Sequence, residues 1–155
     1  MDRETASRTD DHQALRLWLR LLTCSQLIER EVRARLQQRF ETTLPRFDLM
    51  SQLWRYPGGL KMNELSRHLM VTGGNVTGIV DQLEKNGLVE RTAEPADRRA
   101  YRVRLTRAGR KAFAEMARVH EGWIVELLGG LTRREQAETL RLLARMKRVT
   151  MEAKV

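Results

Sequence analysis

Cysteine is almost missing from this chain of 155 residues: Cys24 stands alone. No internal disulfide can form, which fits a reducing compartment. Proline is sparse as well, three residues in all, so long stretches can run as uninterrupted helix. The three histidines, His12, His68 and His120, are far apart and have no cysteine partners at ligand spacing, so no metal site is expected. A Walker-type phosphate loop and a nucleophile elbow are both lacking, and the glycines of TGGNVTG have neither the spacing nor the preceding strand of a dinucleotide fingerprint. These absences argue against an enzyme, and no cofactor is expected. No apolar run approaches the ~20 residues of a spanning helix. The two most apolar stretches, LWLRLLTC and WIVELLGGL, are broken by Arg20 and Glu126. The opening MDRETASRTDDHQ has neither the basic start nor the apolar core of an export signal, and a cytoplasmic setting is expected.

What the chain has in excess is positive charge. The formal net charge of +9 points to a polyanionic partner, either nucleic acid or an anionic membrane surface. Without a membrane segment, nucleic acid is favoured. The excess is uneven. Residues 61–111 hold eleven Lys and Arg against six Asp and Glu, whereas the flanking segments each carry an excess of two. At 41% hydrophobic residues, this length suits one folding unit.

Apolar residues recur at helical spacing through residues 15–40, as Leu15, Trp18, Leu22 and as Leu17, Leu21, Ile28, Val32, Leu36, predicting one long helix. TTLPRFDLMSQLWRYPGG predicts a second helix, with Pro45 in its first turn. Its buried side is expected at Leu49, Leu53 and Trp54, and its stop at Pro57-Gly58-Gly59. MNELSRHLM is a short third helix. A fourth is expected to begin near Thr72, as its cap, and to end at Gly87. LVERTA and AYRVRLT alternate apolar and polar residues around the turn-like EPADRR, which reads as a hairpin with two arginines at its turn. Thr106 opens a fifth helix that Gly129-Gly130 closes. Thr132 and Glu135, in capping-box spacing, open a sixth. The fold class is therefore mainly α with a small β-hairpin.

In the fourth helix Val76, Ile79, Val80 and Leu83 follow i, i+3, i+4, i+7 and define one buried stripe. The opposite face presents Asn75, Thr77, Gly78, Asp81, Gln82 and Lys85, with Gly73-Gly74 at its start. Mid-helix glycine costs about 1 kcal/mol relative to alanine, so its presence predicts close approach of something to the backbone. Helix N-termini favour phosphate. A short helix followed by a tight turn and such a second helix is the helix-turn-helix arrangement, whose second helix enters the major groove.

NVTGIVDQLEKNGLVER and EPADRRAYRVRLTRAG resemble the recognition helix and wing of the multiple antibiotic resistance regulator (MarR) family of winged-helix transcription factors. The likeness runs from about residue 15 to about residue 151. It implies a winged helix-turn-helix flanked by N- and C-terminal dimerisation helices. The corresponding organisation is a mobile tail at 1–11, dimerisation helices at 12–44 and 107–155, and the DNA-binding module at 45–106. Asp97 and Arg99 would form the family's Asp-x-Arg pair, with Arg99 in the minor groove, Asp97 orienting it and Arg98 on a phosphate. Thr72, Gly74, Asn75, Thr77, Gly78, Gln82 and Lys85 would lie at or in the major groove. Asp81 fits there only if it pairs with an arginine or accepts from cytosine.

The same resemblance implies a homodimer on a pseudo-palindromic double-stranded DNA site, with Trp18, Leu21, Ile28, Trp123, Leu127, Leu140, Leu143 and Met146 at or beneath an apolar interface. Family members commonly respond to phenolic or aromatic carboxylate ligands. A small effector of this class, of unknown identity, would find candidate partners in Arg16, Arg20 and Cys24, one column on the first helix, and in Trp18, Trp54 and His68. Two alternatives stand beside a ligand-released repressor. One is a thiol-based redox sensor acting through Cys24, which is expected in an apolar neighbourhood. The other is a winged-helix protein-interaction module that binds no DNA.

Overall fold

The computed structural model describes residues 3–70 and 75–153, with the backbone alone described for residues 3–11, Arg98 and Arg99. Among the described residues nine elements follow one another: α1 (Arg3–Phe40), α2 (Leu44–Arg55), β1 (Leu60–Lys61), α3 (Met62–His68), α4 (Val76–Lys85), β2 (Val89–Glu94), β3 (Asp97–Leu105), α5 (Arg107–Leu127) and α6 (Arg133–Glu152). Two compact units divide the chain, Met1–Val119 and His120–Val155. Among the described residues no helix is long and apolar enough to cross a membrane.

Helix α1 starts twelve residues before the apolar periodicity does. RETASRTDDHQA contains no glycine or proline, so nothing there breaks a helix. Thr43 caps α2 by accepting from Arg46 N, and Pro45 sits in the first turn, where a missing N–H costs nothing. After α2 the chain turns sharply at Gly59, which has φ +92°. A Cβ there would meet the Val103 carbonyl oxygen at 2.8 Å, so the approach of β1 to β3 demands glycine.

The sheet has three antiparallel strands in the order β1-β3-β2, not the two of a simple hairpin. The extra strand, β1, pairs Leu60 with Val103 and Lys61 with Arg102. Two residues are too few to show alternation, so only the pairing reveals them. β2 and β3 run in register from Val89 opposite Leu105 to Ala93 opposite Tyr101, and then the register shifts so that Glu94 faces Asp97. β3 thus carries residues 98–100 against no counterpart on β2. The two arginines expected at the turn belong instead to this bulged start of β3, because the turn itself spans only Pro95 and Ala96.

The core of the first unit gathers Leu36 from α1, Leu49, Met50 and Leu53 from α2, Leu65 from α3, Val80 and Leu83 from α4, and Val89 and Val103 from the sheet, all nearly or fully buried. Phe113 and Met116 of α5 close it. Trp54 departs from the expected buried side of α2. It is 37% exposed, with its ring 5.4 Å from that of Phe113 and the Arg110 guanidinium 4.5 Å above it. Leu49 and Leu53 fill the buried stripe, and the next position turns the indole to the rim.

A tight joint links the end of α4 to the start of α5. Gly87, with φ +74°, ends α4, and Leu88 O accepts from Thr106 N at 3.0 Å. The Thr106 hydroxyl donates to Gly87 O at 2.7 Å and accepts from Gly109 N at 3.0 Å. A Cβ on Gly109 would lie 1.9 Å from Leu88 O, so the two segments touch backbone to backbone. In the second unit the predicted capping box of α6 is complete: Glu135 N donates to the Thr132 hydroxyl at 3.1 Å and Thr132 N to the Glu135 carboxylate at 2.9 Å.

Candidate nucleic-acid interface

Helix α4 buries Ile79, Val80 and Leu83, while Val76 is only half-buried because it opens the helix. The polar side is open: Asn75, Thr77, Asp81, Gln82 and Lys85 are all exposed. The cap is Asn75, not Thr72. Its side-chain oxygen accepts from Thr77 N at 3.0 Å and from Gly78 N at 3.4 Å, which starts the helix at Val76. Asparagine is as good a cap as threonine, and only the backbone path decides between them. Thr72 and Gly74 fall outside the described residues.

A Cβ built on Gly78 meets nothing closer than the side chain of Asn75 at 3.8 Å, an ordinary contact. Among the described residues no neighbour demands a glycine there.

Asp81 has a partner that sequence spacing did not reveal. Arg91, on β2, donates one Nη to the Asp81 carboxylate and the other to Glu84 at 2.6 Å, with its guanidinium 5.3 Å above the Tyr101 ring. The bond to Asp81 is the main cause that holds the Arg91 pKa above its ordinary value, with burial opposing it. Two carboxylates of the exposed face are thereby offset by one cation, and α4 is tied to the first strand of the hairpin. Asp81 and Glu84 are neighbours at i, i+3 on α4, but no helical or strand period relates them to residue 91, so only the packing of α4 on β2 brings the arginine to them.

From the other side, Arg46 of α2 donates to the Gln82 side chain at 3.4 Å. In the hairpin, Arg102 pairs with Glu94 at 2.7 Å and Arg104 with Glu90 at 2.6 Å, leaving the bulged tip as the end with additional arginines. Asp97 is exposed at the start of β3; Arg98 and Arg99 follow it in the strand, their side chains outside the described set.

The effector candidates do not converge on one cavity. Arg16 and Arg20 line an open groove on α1 with His12, Gln13 and Leu17, and Arg20 and Cys24 share a second with Leu19 and Thr23. Trp18 is 53% exposed. Trp54 packs on Phe113, and His68 on Tyr56 at 5.2 Å between rings. Cys24 is exposed, and the apolar residues Leu19 and Leu27 near it on α1 face outward as well. Among the described residues no group of three or more His, Cys, Asp or Glu could hold a metal ion.

The candidate dimerisation residues are only partly covered. Leu21, Ile28, Trp123, Leu127 and Met146 are half-buried, whereas Leu140 and Leu143 are exposed. None of the residues of α6 is buried.

Comparison with known proteins gives a consistent set of likenesses. The MarR family model matches residues 42–101. A crystal structure of a MarR family transcriptional regulator from Silicibacter pomeroyi is 30% identical, covers 97% of this chain and 99% of its own, and superposes with a TM-score of 0.76. The HTH-type transcriptional regulator YkoM of Bacillus subtilis is 31% identical over 86 residues, 56% of either chain, so the match spans little more than half of that relative. A crystal structure of the S. aureus MepR–DNA complex, 22% identical with a TM-score of 0.69 over 83% of this chain and 94% of its own, shares the fold.

Proposed function

The chain belongs to the MarR family of transcriptional regulators, and from that premise we propose that it is a homodimeric regulator, acting in the cytoplasm, that binds a pseudo-palindromic site on double-stranded DNA. The observation that carries this reading is the open polar side of α4, where Gly78 in the first turn meets only ordinary contacts among the described residues. A major groove admits a helix of this kind, and hydrogen-bonding side chains on it read base edges. In this reading Asn75, Thr77, Gln82 and Lys85 face the major groove, and Thr72 and Gly74 lie at its edge. Arg99, oriented by Asp97, enters the minor groove, and Arg98 contacts a phosphate.

The homodimer is supported by apolar surface that a single chain leaves uncovered. Leu15, Leu17, Trp18 and Leu19 on α1 are each about half exposed, and Leu140 on α6 is 70% exposed. Two-fold symmetry places half-site centres about 10 base pairs apart, one helical turn. Repression released by a small aromatic or phenolic acid completes the proposal. The ligand would meet Arg16 and Arg20 through charge-assisted bonds, with Trp18, Trp54 and His68 in the surrounding dimer, and would bias the spacing of the two recognition helices. The exposure of Cys24 favours a second reading, release by thiol oxidation. Peroxide treatment of the wild type and of Cys24→Ser separates the two.

The deciding experiment is selection of bound fragments from the source genome, followed by titration of a selected duplex. Arg99→Ala is expected to lower affinity at least tenfold while the dimer persists; unchanged affinity removes the wing from the mechanism. If the wild type enriches no fragment and retains no duplex at low salt, the protein-interaction reading replaces this one.

A further inference from the structure

A groove opens where α1, the start of α2 and the start of α4 come together. It is lined by Arg33, Thr43, Arg46, Asn75, Gly78 and Gln82, and no acidic residue takes part. Both arginines keep donor capacity to spare. Arg33 has Glu29 only at 3.9 Å and a side chain 42% exposed. Arg46 makes long bonds of 3.4 Å to Gln82 and 3.3 Å to the Asn86 side-chain oxygen, and its Nε is buried without a partner. A guanidinium offers five N–H donors in a fixed fork suited to phosphate. Asn75, Gly78 and Gln82 belong at once to this groove and to the side of α4 assigned above to DNA. A helix seated in a major groove runs beside a phosphate strand, and contacts to that strand fix its register. The missing Cβ of Gly78 leaves the helix backbone open to a group entering there.

We propose that Arg33 and Arg46 hold a backbone phosphate of the duplex in this groove, a contact separate from those of α4 and the wing tip. The proposal rests on the DNA-binding reading and extends it to α1 and α2. Carboxylate ligands satisfy the same donors, but the continuity of the groove with the polar side of α4 selects the phosphate strand.

The test is a salt titration of binding to a mixed-sequence duplex for the wild type, Arg33→Gln, Arg46→Gln and Arg33→Lys, with circular dichroism and oligomeric state checked for each. Each phosphate contact contributes about −0.9 to the slope of log K against log salt. In a dimer the shared phosphate accounts for about 1.8 of the slope in all, so Arg33→Gln and Arg46→Gln should each flatten it by up to that amount, without adding. Arg33→Lys should keep the wild-type slope, because the charge remains. Unchanged slopes in both glutamine variants overturn the proposal. So does a change in Arg46→Gln alone, since Arg46 also supports Gln82. Failure of the wild type to bind any duplex overturns instead the DNA-binding reading beneath it.

Discussion

At Gly78 stability and binding are expected to pull in opposite directions. Alanine is the better helix former, by about 1 kcal/mol in a helix interior and by less in the first turn where Gly78 stands, and among the described residues its Cβ would meet only the Asn75 side chain at 3.8 Å. Gly78→Ala should therefore raise thermal stability by up to about 1 kcal/mol while weakening DNA binding, because the added methyl stands where the duplex approaches. Paired melting and titration experiments check this. A variant that is stabilised and binds as well as the wild type shows that the glycine is not there for a ligand. The residue scale also carries most of the sequence-level success. The buried positions of α4, the left-handed Gly87 and the capping box at Thr132 were all legible, since each rests on contacts within a few residues. Arg91 and Arg46 were not legible as site residues, because their partners lie on other elements.

Between elements, the joint that matters is the one between α4 and the hairpin. Arg91 of β2 bridges to Asp81 and Glu84 of α4 and so ties the two elements together. Exposed ion pairs contribute only about 0.2–1 kcal/mol each, and Asp81 is 59% exposed, so Arg91→Ala should cost little stability. Its effect on DNA affinity should be larger, about tenfold or more, because two carboxylates then face the phosphates without their cation. Arg91→Lys is expected to recover part of the affinity. A loss in affinity no greater than the loss in stability would reduce the bridge to an ordinary surface pair. The sheet shows the same dependence on neighbours: β1 exists only because Gly59 lets it lie beside β3, and nothing in Leu60-Lys61 announces a strand.

Helix α5 carries a pH-sensitive group. Burial lowers the pKa of His120, so as the pH falls below the unfolded value of about 6.5 the unfolded chain takes up the proton first. Stability should thus be constant above that value and be lost on acidification toward the folded pKa, where the loss levels off. Melting temperatures between pH 5 and 7.5 should rise with pH, and His120→Gln should flatten part of the rise. An equally steep rise in the variant assigns the effect to other groups.

For the whole molecule, the question is what covers α1 and α6. Each leucine side chain removed from water contributes roughly 1.5–3 kcal/mol, and Leu140 and Leu143 lie on one side of a helix with no buried residue. The double variant Leu140→Glu, Leu143→Glu should sediment as a monomer at micromolar concentration and lose operator binding while keeping its helical content. A dimer that survives the double change moves the interface elsewhere.

The order of helices, the apolar stripe of α4, the hairpin and the basic middle third were determined by the sequence alone, because periodicity, caps and charge act over one or two turns of chain. Tertiary structure decided what depends on distant segments meeting. It chose Asn75 as the cap and supplied Arg91 to offset the acids of the exposed side. It also turned Trp54 to the rim, brought β1 into the sheet, and moved the two arginines from the turn into a bulged strand. Except for the Asn75 cap, whose bonds span only two and three residues, these outcomes join residues seven to more than forty positions apart, which no local pattern links.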